Sequence, residues 1–152
     1  MSGWDDAQFF FDLVRCETRL YNALDAVLRA RHGIAAAQFE FLRYIRDRPG
    51  SRVADLAAAF AIGVGATSKG IDRLERRTWV IRSVSVTDRR SSLLHLTDTG
   101  QTLVDDAEAT FRESLTGLLA HVRNADQAGA MFDTFAMLRV LLEDRGIGTP
   151  IG

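Results

Sequence analysis

Basic side chains, almost all of them arginines, are concentrated in the middle of this sequence. Between positions 43 and 90 eleven basic residues stand against five acidic ones, a local net charge of +6 in a chain whose overall net charge is −1. The planar guanidinium group of arginine binds phosphate or the edge of guanine through two parallel hydrogen bonds. Such a segment between acidic ends is typical of a nucleic-acid-binding module, although a solvated surface without a partner has the same charge count. The eleven residues are Arg43, Arg46, Arg48, Arg52, Lys69, Arg73, Arg76, Arg77, Arg82, Arg89 and Arg90.

Side chains that could support catalysis or metal binding are few and scattered. His32, His95 and His121 lack the paired spacing of a metal site. The sequence has no nucleophile elbow, phosphate loop or paired-histidine motif. We therefore expect no enzyme, no metal and no cofactor.

Length and composition predict a single globular domain over residues 1–152. The chain is 47% hydrophobic and 26% charged and has two prolines, which excludes collagen-like and broadly disordered classes. No apolar stretch reaches the roughly 20 residues that a bilayer span needs. Residues 1–6 are acidic where an export signal would be basic, and the single cysteine, Cys16, suits a reducing compartment. We therefore expect a cytoplasmic protein with no membrane partner.

A helical period of apolar residues predicts a long first helix from about Trp4 to Arg31. Its apolar seam is longer than a small core requires, so we expect a second copy of the chain as its partner. Cys16 lies on this seam and is interpreted as a small buried hydrophobic residue. The seam consists of Phe9, Leu13, Cys16, Leu20, Leu24 and Val27.

The following segments predict a helix-turn-helix unit and then a hairpin. A helix over about 35–48 ends before Pro49, a third over 52–60 is capped by Ser51, and a fourth over 64–77 follows a tight turn. After Trp79 the period changes to two, which predicts strands over 80–87 and 91–96 with a polar tip at 88–90. Thr97 caps a fifth helix that continues to about Val122, a sixth spans about 126–145, and residues 146–152 form a loose tail.

This order predicts a mainly α fold with a small β-hairpin wing. The winged helix-turn-helix lobe spans 35–97, and dimerisation helices flank it over 4–32 and 98–145. Residues 34–100 resemble the MarR family, the multiple-antibiotic-resistance type of winged-helix regulators. Leu56-Ala57, the run 71–77 and above all the run 88–100 carry this resemblance, because there an Asp-x-Arg wing tip precedes a strand and Leu-Thr-x-x-Gly.

Two features depart from the family pattern. Thr78 occupies a turn position where the family usually has glycine, and Gly65 and Gly70 enrich the fourth helix in glycine. The first departure concerns the local backbone geometry, and the second concerns the stability and contacts of that helix.

The resemblance implies a homodimer that binds a pseudo-palindromic operator in double-stranded DNA. The fourth helix would enter the major groove, and Arg90, oriented by Asp88, would enter the minor groove. Alternatively, the helix residues form a solvated face, Thr67 and Ser68 only begin the helix, and Asp88 and Arg90 form a turn-stabilising ion pair. The expected DNA contacts are Gly65, Ala66, Thr67, Ser68, Lys69, Arg73, Arg76, Asp88, Arg89 and Arg90.

The resemblance also implies a repressor that a small aromatic or phenolic ligand releases from its operator. An arginine among aromatic rings would suit an aromatic carboxylate, although Arg15 and Arg19 could simply pair with Asp12 or Glu17. Two alternative functions are a protein–protein adaptor that has lost DNA binding and a redox-responsive regulator acting through Cys16. The candidate ligand contacts are Phe11, Arg15, Arg19, His32, Phe39 and Arg43.

Overall fold

A computed structural model of the chain describes residue 3 and residues 5–150. Within them, helices flank a helix-turn-helix unit and a two-stranded antiparallel hairpin, which confirms the predicted fold class. No helix of the described residues is long and apolar enough to cross a membrane. The elements are α1 (Asp6–His32), α2 (Ala36–Asp47), α3 (Val53–Phe60), α4 (Val64–Arg76), β1 (Val80–Val84), β2 (Ser92–Leu96), α5 (Asp98–Leu118), α6 (Ala120–Arg123) and α7 (Ala128–Asp144).

Helix α1 is capped at both ends. The Asp5 carboxylate accepts hydrogen bonds from the backbone N–H groups of Ala7 and Gln8, and Gly33 ends the helix with a left-handed φ of 68°. The predicted start at Trp4 lies outside the described residues. Only the second half of the seam reaches the core of the protomer, and Cys16 is exposed. The interpretation of Cys16 as a buried residue is therefore wrong for the single chain.

Helix α3 begins one residue later than predicted, and Ser51 is not its cap. Arg52 is the N-cap, and its backbone N–H donates to Oδ2 of Asp55 at 2.8 Å. Ser51 instead pairs with Leu94 of β2 as an isolated antiparallel bridge, so the segment before α3 contacts the hairpin through its backbone. This pairing fixes the winged hairpin against the helix-turn-helix unit.

The turn after α4 shows how the chain accommodates Thr78. Its φ is 62°, in the left-handed region. The N–H of Thr78 donates to the Glu75 carbonyl and that of Trp79 to the Leu74 carbonyl, which is the hydrogen-bond pattern of a Schellman helix end. Thr78 thus occupies the position that glycine fills most easily.

The C-terminal helices differ in detail from the sequence prediction. Thr97 caps α5 by accepting the N–H of Gly100, as expected. However, α5 ends at Leu118, just after Gly117, and the short helix α6 replaces its predicted last turn. The predicted sixth helix is α7, and it ends in a second Schellman turn at Gly146. Ile151 and Gly152 of the predicted tail lie outside the described residues.

The core joins the winged lobe to the flanking helices. The apolar side chains of α2, α3, α4 and the hairpin pack together, and Leu28 of α1 and Val104 and Ala107 of α5 complete the cluster. Full burial of one such leucine or isoleucine stabilises the fold by about 1.5–3 kcal/mol. The core therefore includes residues of α1 and α5, on either side of residues 35–97.

Candidate nucleic-acid interface

The outward face of α4 carries small and basic residues. Ile71 and Leu74 are buried on its inner side. Because an α-helix has 3.6 residues per turn, the residues on the opposite side of α4 point away from the core. Gly65 and Ala66 expose the backbone near the start of the helix, where it is open to close approach by a ligand. The exposed residues of this face are Gly65, Ala66, Lys69, Arg73 and Arg76, and Ser68 is half-buried beside them.

Thr67 does not belong to this face, which corrects one predicted DNA contact. Its side chain is fully buried, and its hydroxyl donates to the Gly63 carbonyl at 2.9 Å. Thr67, Ile71 and Leu74 follow the spacing i, i+4 and i+7 of a single helix face. The sequence therefore already contained the signal that places Thr67 inside.

Arg82 of β1 joins the hairpin to α4. Its Nη1 lies 2.8 Å from Oδ1 of Asp72 and 2.9 Å from Oε2 of Glu75, which are three residues apart on one face of the helix. This guanidinium is therefore occupied by an internal contact and is not free for an external anion. Sequence reasoning counted Arg82 only as part of the basic cluster and missed its structural role.

The wing tip, residues 85–91, presents two arginines to solvent. Arg89 and Arg90 are exposed, and within the described chain their guanidinium groups make no ion pair. Asp88 accepts a hydrogen bond from the backbone N–H of Arg90 at 3.0 Å rather than from its guanidinium. The expectation that Asp88 orients the Arg90 side chain is therefore corrected, as is the alternative of an ion pair. The carboxylate of Asp88 faces Arg52 instead, at 3.8 Å.

This arrangement places two separate cationic groups on one lobe. The α4 face offers Lys69, Arg73 and Arg76 on a rigid helix, and the wing tip offers Arg89 and Arg90 on a hairpin that Arg82 holds against that helix. A rigid helix suits the wide groove of a duplex, and an extended loop suits a narrow groove.

The comparisons with known proteins agree with this geometry. The model of the MarR family matches residues 32–91, which contain the helix-turn-helix unit and the wing tip. Over these residues the chain is similar to the MarR family. A candidate transcriptional regulatory protein for the hcr operon of Thauera aromatica is 27% identical over 104 residues. That match covers 68% of this chain and 63% of the relative, so the chain matches less than two thirds of the relative's length.

Solved structures share the fold of this chain. A MarR-family transcriptional regulator from a Rhodococcus species has a TM-score of 0.78 at 22% identity, with 90% of this chain and 96% of that one covered. FabT of Streptococcus pneumoniae, solved in complex with DNA, has a TM-score of 0.76 at 19% identity, over 92% and 99%. The transcriptional repressor CouR, bound to a 23-mer DNA duplex, has a TM-score of 0.73 at 26% identity, over 85% and 90%.

The predicted ligand contacts do not form one pocket within the protomer. Phe39 is buried and packs on the ring of Phe111, with centroids 4.9 Å apart. His32 pairs with the Thr110 hydroxyl at 2.7 Å, and Arg43 lies 3.5 Å from the Glu108 carboxylate. Phe11, Arg15 and Arg19 are exposed on the first half of α1, where the described structure shows no ion pair to Asp12 or Glu17. These six residues therefore do not come together within one protomer, and their role in ligand binding stays a prediction.

A groove lies elsewhere, between the end of α3 and the C-terminal part of α7. Its volume is about 610 Å³, and its walls are mostly apolar, with one ion pair between Arg139 and Glu143 at the side. Among the described residues no group of His, Cys, Asp and Glu side chains is placed to hold a metal ion. The residues lining the groove are Ala58, Ala59, Phe60, Ala61, Phe135, Leu138, Arg139, Leu142, Glu143, Gly146, Ile147 and Thr149.

An ion cluster connects α2 of the winged lobe to α5. Arg46 donates to Glu108 at 2.6 Å and to Asp105 at 3.0 Å, and it also pairs with Asp47 on its own helix. The hydrogen bond from Arg46 lowers the pKa of Glu108, and the bond to Glu108 raises the pKa of Arg46 in return. The Gln101 amide, followed by Arg46, lowers the pKa of Asp105. The ionised forms of Arg46, Glu108 and Asp105 are therefore favoured, and the cluster links the two helices.

The pKa of Glu40 in α2 is shifted in the opposite direction to the pKa values of Glu108 and Asp105. Burial raises its pKa, although Tyr21 donates a hydrogen bond to it at 3.4 Å. Burial beside Glu40 likewise raises the pKa of Tyr21 to about 12. Burial at this contact between α1 and α2 therefore disfavours the ionised form of Glu40, whereas the Arg46 cluster favours the ionised forms of Glu108 and Asp105.

Proposed function

We propose that this chain is a sequence-specific, DNA-binding transcriptional regulator that acts as a homodimer in the cytoplasm, and not an enzyme. The observation that carries the proposal is the pairing of the α4 face with the wing tip. Five basic side chains on these two elements are exposed, and Arg82 holds the elements together. The structures of FabT and CouR with DNA support the same use of the fold.

In this proposal α4 reads the major groove. Gly65 and Ala66 permit close approach of the backbone, Ser68 and Lys69 reach bases or phosphates, and Arg73 reaches a base edge or a phosphate. Arg76 binds phosphate. Thr67 supports the helix from inside and takes no part in the contact.

The wing reads the minor groove in this proposal. Arg90 enters the groove, where a narrow A·T-rich segment strengthens the negative potential, and Arg89 binds phosphate. Asp88 shapes the turn through the backbone N–H of Arg90.

A homodimer is proposed because α1 and α7 expose many large apolar side chains. Phe10 is 57% exposed and Met137 is 66% exposed, and the exposed residues continue along both helices. A monomer rarely leaves so extended an apolar surface in water. The exposed apolar residues on these two helices are Phe9, Phe10, Phe11, Val14, Phe132, Phe135, Met137, Val140, Leu141 and Leu142.

The first test measures DNA binding and oligomeric state together. Fluorescence anisotropy follows binding to the DNA upstream of the protein's own coding region over a salt series, and sedimentation gives the mass of the free protein. We expect a dimer whose logarithmic affinity falls with the logarithm of salt concentration by about 0.9 for each phosphate contacted. A stable monomer would contradict the dimer. Absence of binding to any promoter fragment at low salt would favour the alternative of a protein–protein adaptor.

We further propose that the protein represses transcription and that a small aromatic ligand relieves repression. The apolar groove between α3 and α7 supports this, because it adjoins the winged lobe on one side and a proposed dimerisation helix on the other. A ligand there changes DNA affinity only if it binds the two arrangements of the lobes differently. The test repeats the anisotropy measurement with a panel of aromatic carboxylates and phenols. Leu138→Trp, which fills the groove, should abolish any response while preserving DNA binding, and a response that survives this variant would contradict the location.

A further inference from the structure

The wing tip has few hydrogen bonds of its own. The hairpin ladder ends at the pair Val84 and Ser92. Beyond it, the backbone N–H of Ser85 donates to Ser91 at 3.3 Å, that of Ser91 to Asp88 at 3.1 Å, and that of Arg90 to the Asp88 side chain at 3.0 Å. An exposed loop with so few bonds has a low local stability.

Arg52 supplies contacts to the tip from outside the hairpin. Its Nη2 donates to Oγ of Ser85 at 3.4 Å, and its Nη1 lies 3.8 Å from Oδ2 of Asp88. Ser85 is buried although Val84 and Val86 on either side of it are exposed. Its Oγ also contacts the Thr87 hydroxyl at 3.1 Å and accepts the N–H of Asp88 at 3.3 Å. In the part of the chain that the structure describes, no other side chain outside the hairpin bonds to residues 85–91.

The backbone at Arg52 is itself held in place. Its backbone N–H donates to Asp55 at the start of α3, and the preceding Ser51 pairs with Leu94 of β2. Because that pairing is antiparallel, the chain runs from Ser51 toward the tip end of the hairpin. The guanidinium fork therefore extends from a fixed point and reaches two acceptors in the tip.

We propose that Arg52 is a positioning residue for the wing, one that orders the tip so that Arg89 and Arg90 are presented to DNA in a defined geometry. This inference rests on the proposed DNA-binding function. The planar fork of arginine serves two acceptors at once, which the single ammonium group of lysine does not do with the same geometry.

Limited proteolysis tests the ordering of the tip without DNA. Trypsin cleaves after Arg89 and Arg90, and mass spectrometry reports the rate of that cleavage in the intact protein. Arg52→Gln should raise this rate about two- to fivefold, the factor expected for loss of a partly exposed ion pair and a hydrogen bond. The melting temperature should remain unchanged. An unchanged cleavage rate in Arg52→Gln would overturn the proposal.

Two matched variants sharpen this experiment. Arg48→Gln removes a nearby positive charge that lies over the Tyr44 ring rather than against the wing, and it should leave cleavage at the tip unchanged. The bond after Arg48 precedes Pro49 and resists trypsin, so this control alters no other cleavage. Asp88→Asn keeps an oxygen for the Arg90 N–H but loses the charge that faces Arg52, and it should raise the rate in the same direction as Arg52→Gln.

A double-mutant cycle then tests the link to DNA. The probe is a duplex that the wild-type protein selects from a random-sequence library. Arg52→Gln should raise Kd about two- to fivefold in the wild-type background, because affinity falls with the fraction of correctly ordered tip. In the background that lacks both wing arginines (Arg89→Ala with Arg90→Ala) it should have almost no effect. An equal loss in both backgrounds would show that Arg52 contacts DNA directly and would overturn a positioning role.

Failure of the two proposals can be told apart. If the wild-type protein selects no duplex, the proposed DNA-binding function is wrong, and proteolysis still decides whether Arg52 orders the tip. If the wild type binds DNA and Arg52→Gln changes neither cleavage nor Kd, the positioning role alone is wrong.

Discussion

Gly70 of α4 lies against the ring of Phe41 of α2, and a β-carbon at Gly70 would stand 2.8 Å from Cε2 of that ring. Phe41 is buried and packs on Phe60 of α3, with centroids 5.4 Å apart. The glycine therefore lets the candidate recognition helix approach the other two helices of the unit. One of the two glycines that depart from the family pattern thus has a packing reason.

Substitution of the two glycines of α4 by alanine should change the stability of the protein in opposite directions. Gly70→Ala forces a buried ring to move and should destabilise the protein by about 1–3 kcal/mol, despite the better helix propensity of alanine. Gly65 has no atom within 4 Å of an added β-carbon. Gly65→Ala should therefore stabilise the fold by about 0.5–1 kcal/mol. Urea denaturation of both variants provides the comparison, and stabilisation by Gly70→Ala would disprove the packing argument.

Gly65→Ala also separates stability from binding. If the backbone of α4 approaches the major groove at Gly65, the added methyl group should weaken binding to the operator while the fold becomes more stable. Measurement of Kd by anisotropy on the purified variant checks this prediction. Equal or tighter binding would place DNA away from the start of α4.

Loss of Arg90 and loss of Arg89 should have different effects on the sequence preference and on the salt dependence of DNA binding. Arg90→Ala should lower operator affinity by about 1–3 kcal/mol and relax sequence preference near the wing. Arg89→Ala should weaken binding to all duplexes alike and reduce the salt slope by about 0.9, because it removes one phosphate contact. The melting temperature should not change in either variant, since both side chains are exposed. Identical salt slopes and sequence preferences for the two variants would contradict this division of roles.

Replacement of Thr78 by glycine should make the folded protein more stable. A β-branched residue in the left-handed region carries strain of about 1–2 kcal/mol, and Thr78→Gly should recover about 1 kcal/mol after the greater entropy of glycine in the unfolded chain is counted. Thr102, an exposed residue within α5, is the matched control, and Thr102→Gly should not stabilise the protein. Thermal and urea unfolding report both effects. A loss of stability in Thr78→Gly would mean that the Thr78 hydroxyl, which donates to the Arg77 carbonyl, contributes more than the strain removes.

Substitution of Glu108 and of Glu40 by glutamine should change the stability of the protein at neutral pH in opposite directions. The Glu108 pKa lies below its ordinary value of 4.5, so its ionised form stabilises the folded state above that pH. Glu108→Gln should therefore destabilise the protein at neutral pH, and the difference from wild type should shrink as pH falls below about 4.5 through the lowered pKa.

Glu40 provides the internal comparison for this measurement. Its pKa is raised above the same ordinary value, so ionised Glu40 destabilises the folded state at pH values above that raised pKa. Glu40→Gln keeps an oxygen for Tyr21 and should stabilise the protein at neutral pH, and this gain should vanish below about pH 4.5. Urea unfolding at a series of pH values tests both variants, and a gain of stability in Glu108→Gln at neutral pH would contradict the role of the Arg46 cluster.

Most of the fold followed from local sequence signals. Apolar periodicity located the long helices, and Thr97 marked the start of α5 because its capping chemistry is local. Ser51 was misassigned for the same reason, since a good capping residue was taken instead by a bridge to Leu94, far away in the sequence. Pairings of this kind depend on tertiary packing and leave no local signal.

The candidate interface was predicted less completely than the fold. Residue type and helix spacing located the basic face of α4, and the same spacing, applied to Thr67 together with Ile71 and Leu74, would have placed Thr67 inside. The directions of long side chains were not predictable. Arg82 turns toward α4 and Asp88 toward Arg52, because partners distant in sequence compete for each charge.

The core joins Leu28 of α1 to Ala107 of α5, so it cannot be completed during synthesis until α5 has left the ribosome. Chains leave the tunnel N-terminus first, and the apolar faces of α2, α3 and α4 appear before the α5 residues that cover them. A nascent chain that stalls before α5 therefore exposes an unfinished core and becomes a target for chaperones and proteases. Since α7 follows α5 after only a short segment, the core is completed shortly before the exposed apolar side chains of α7 leave the tunnel.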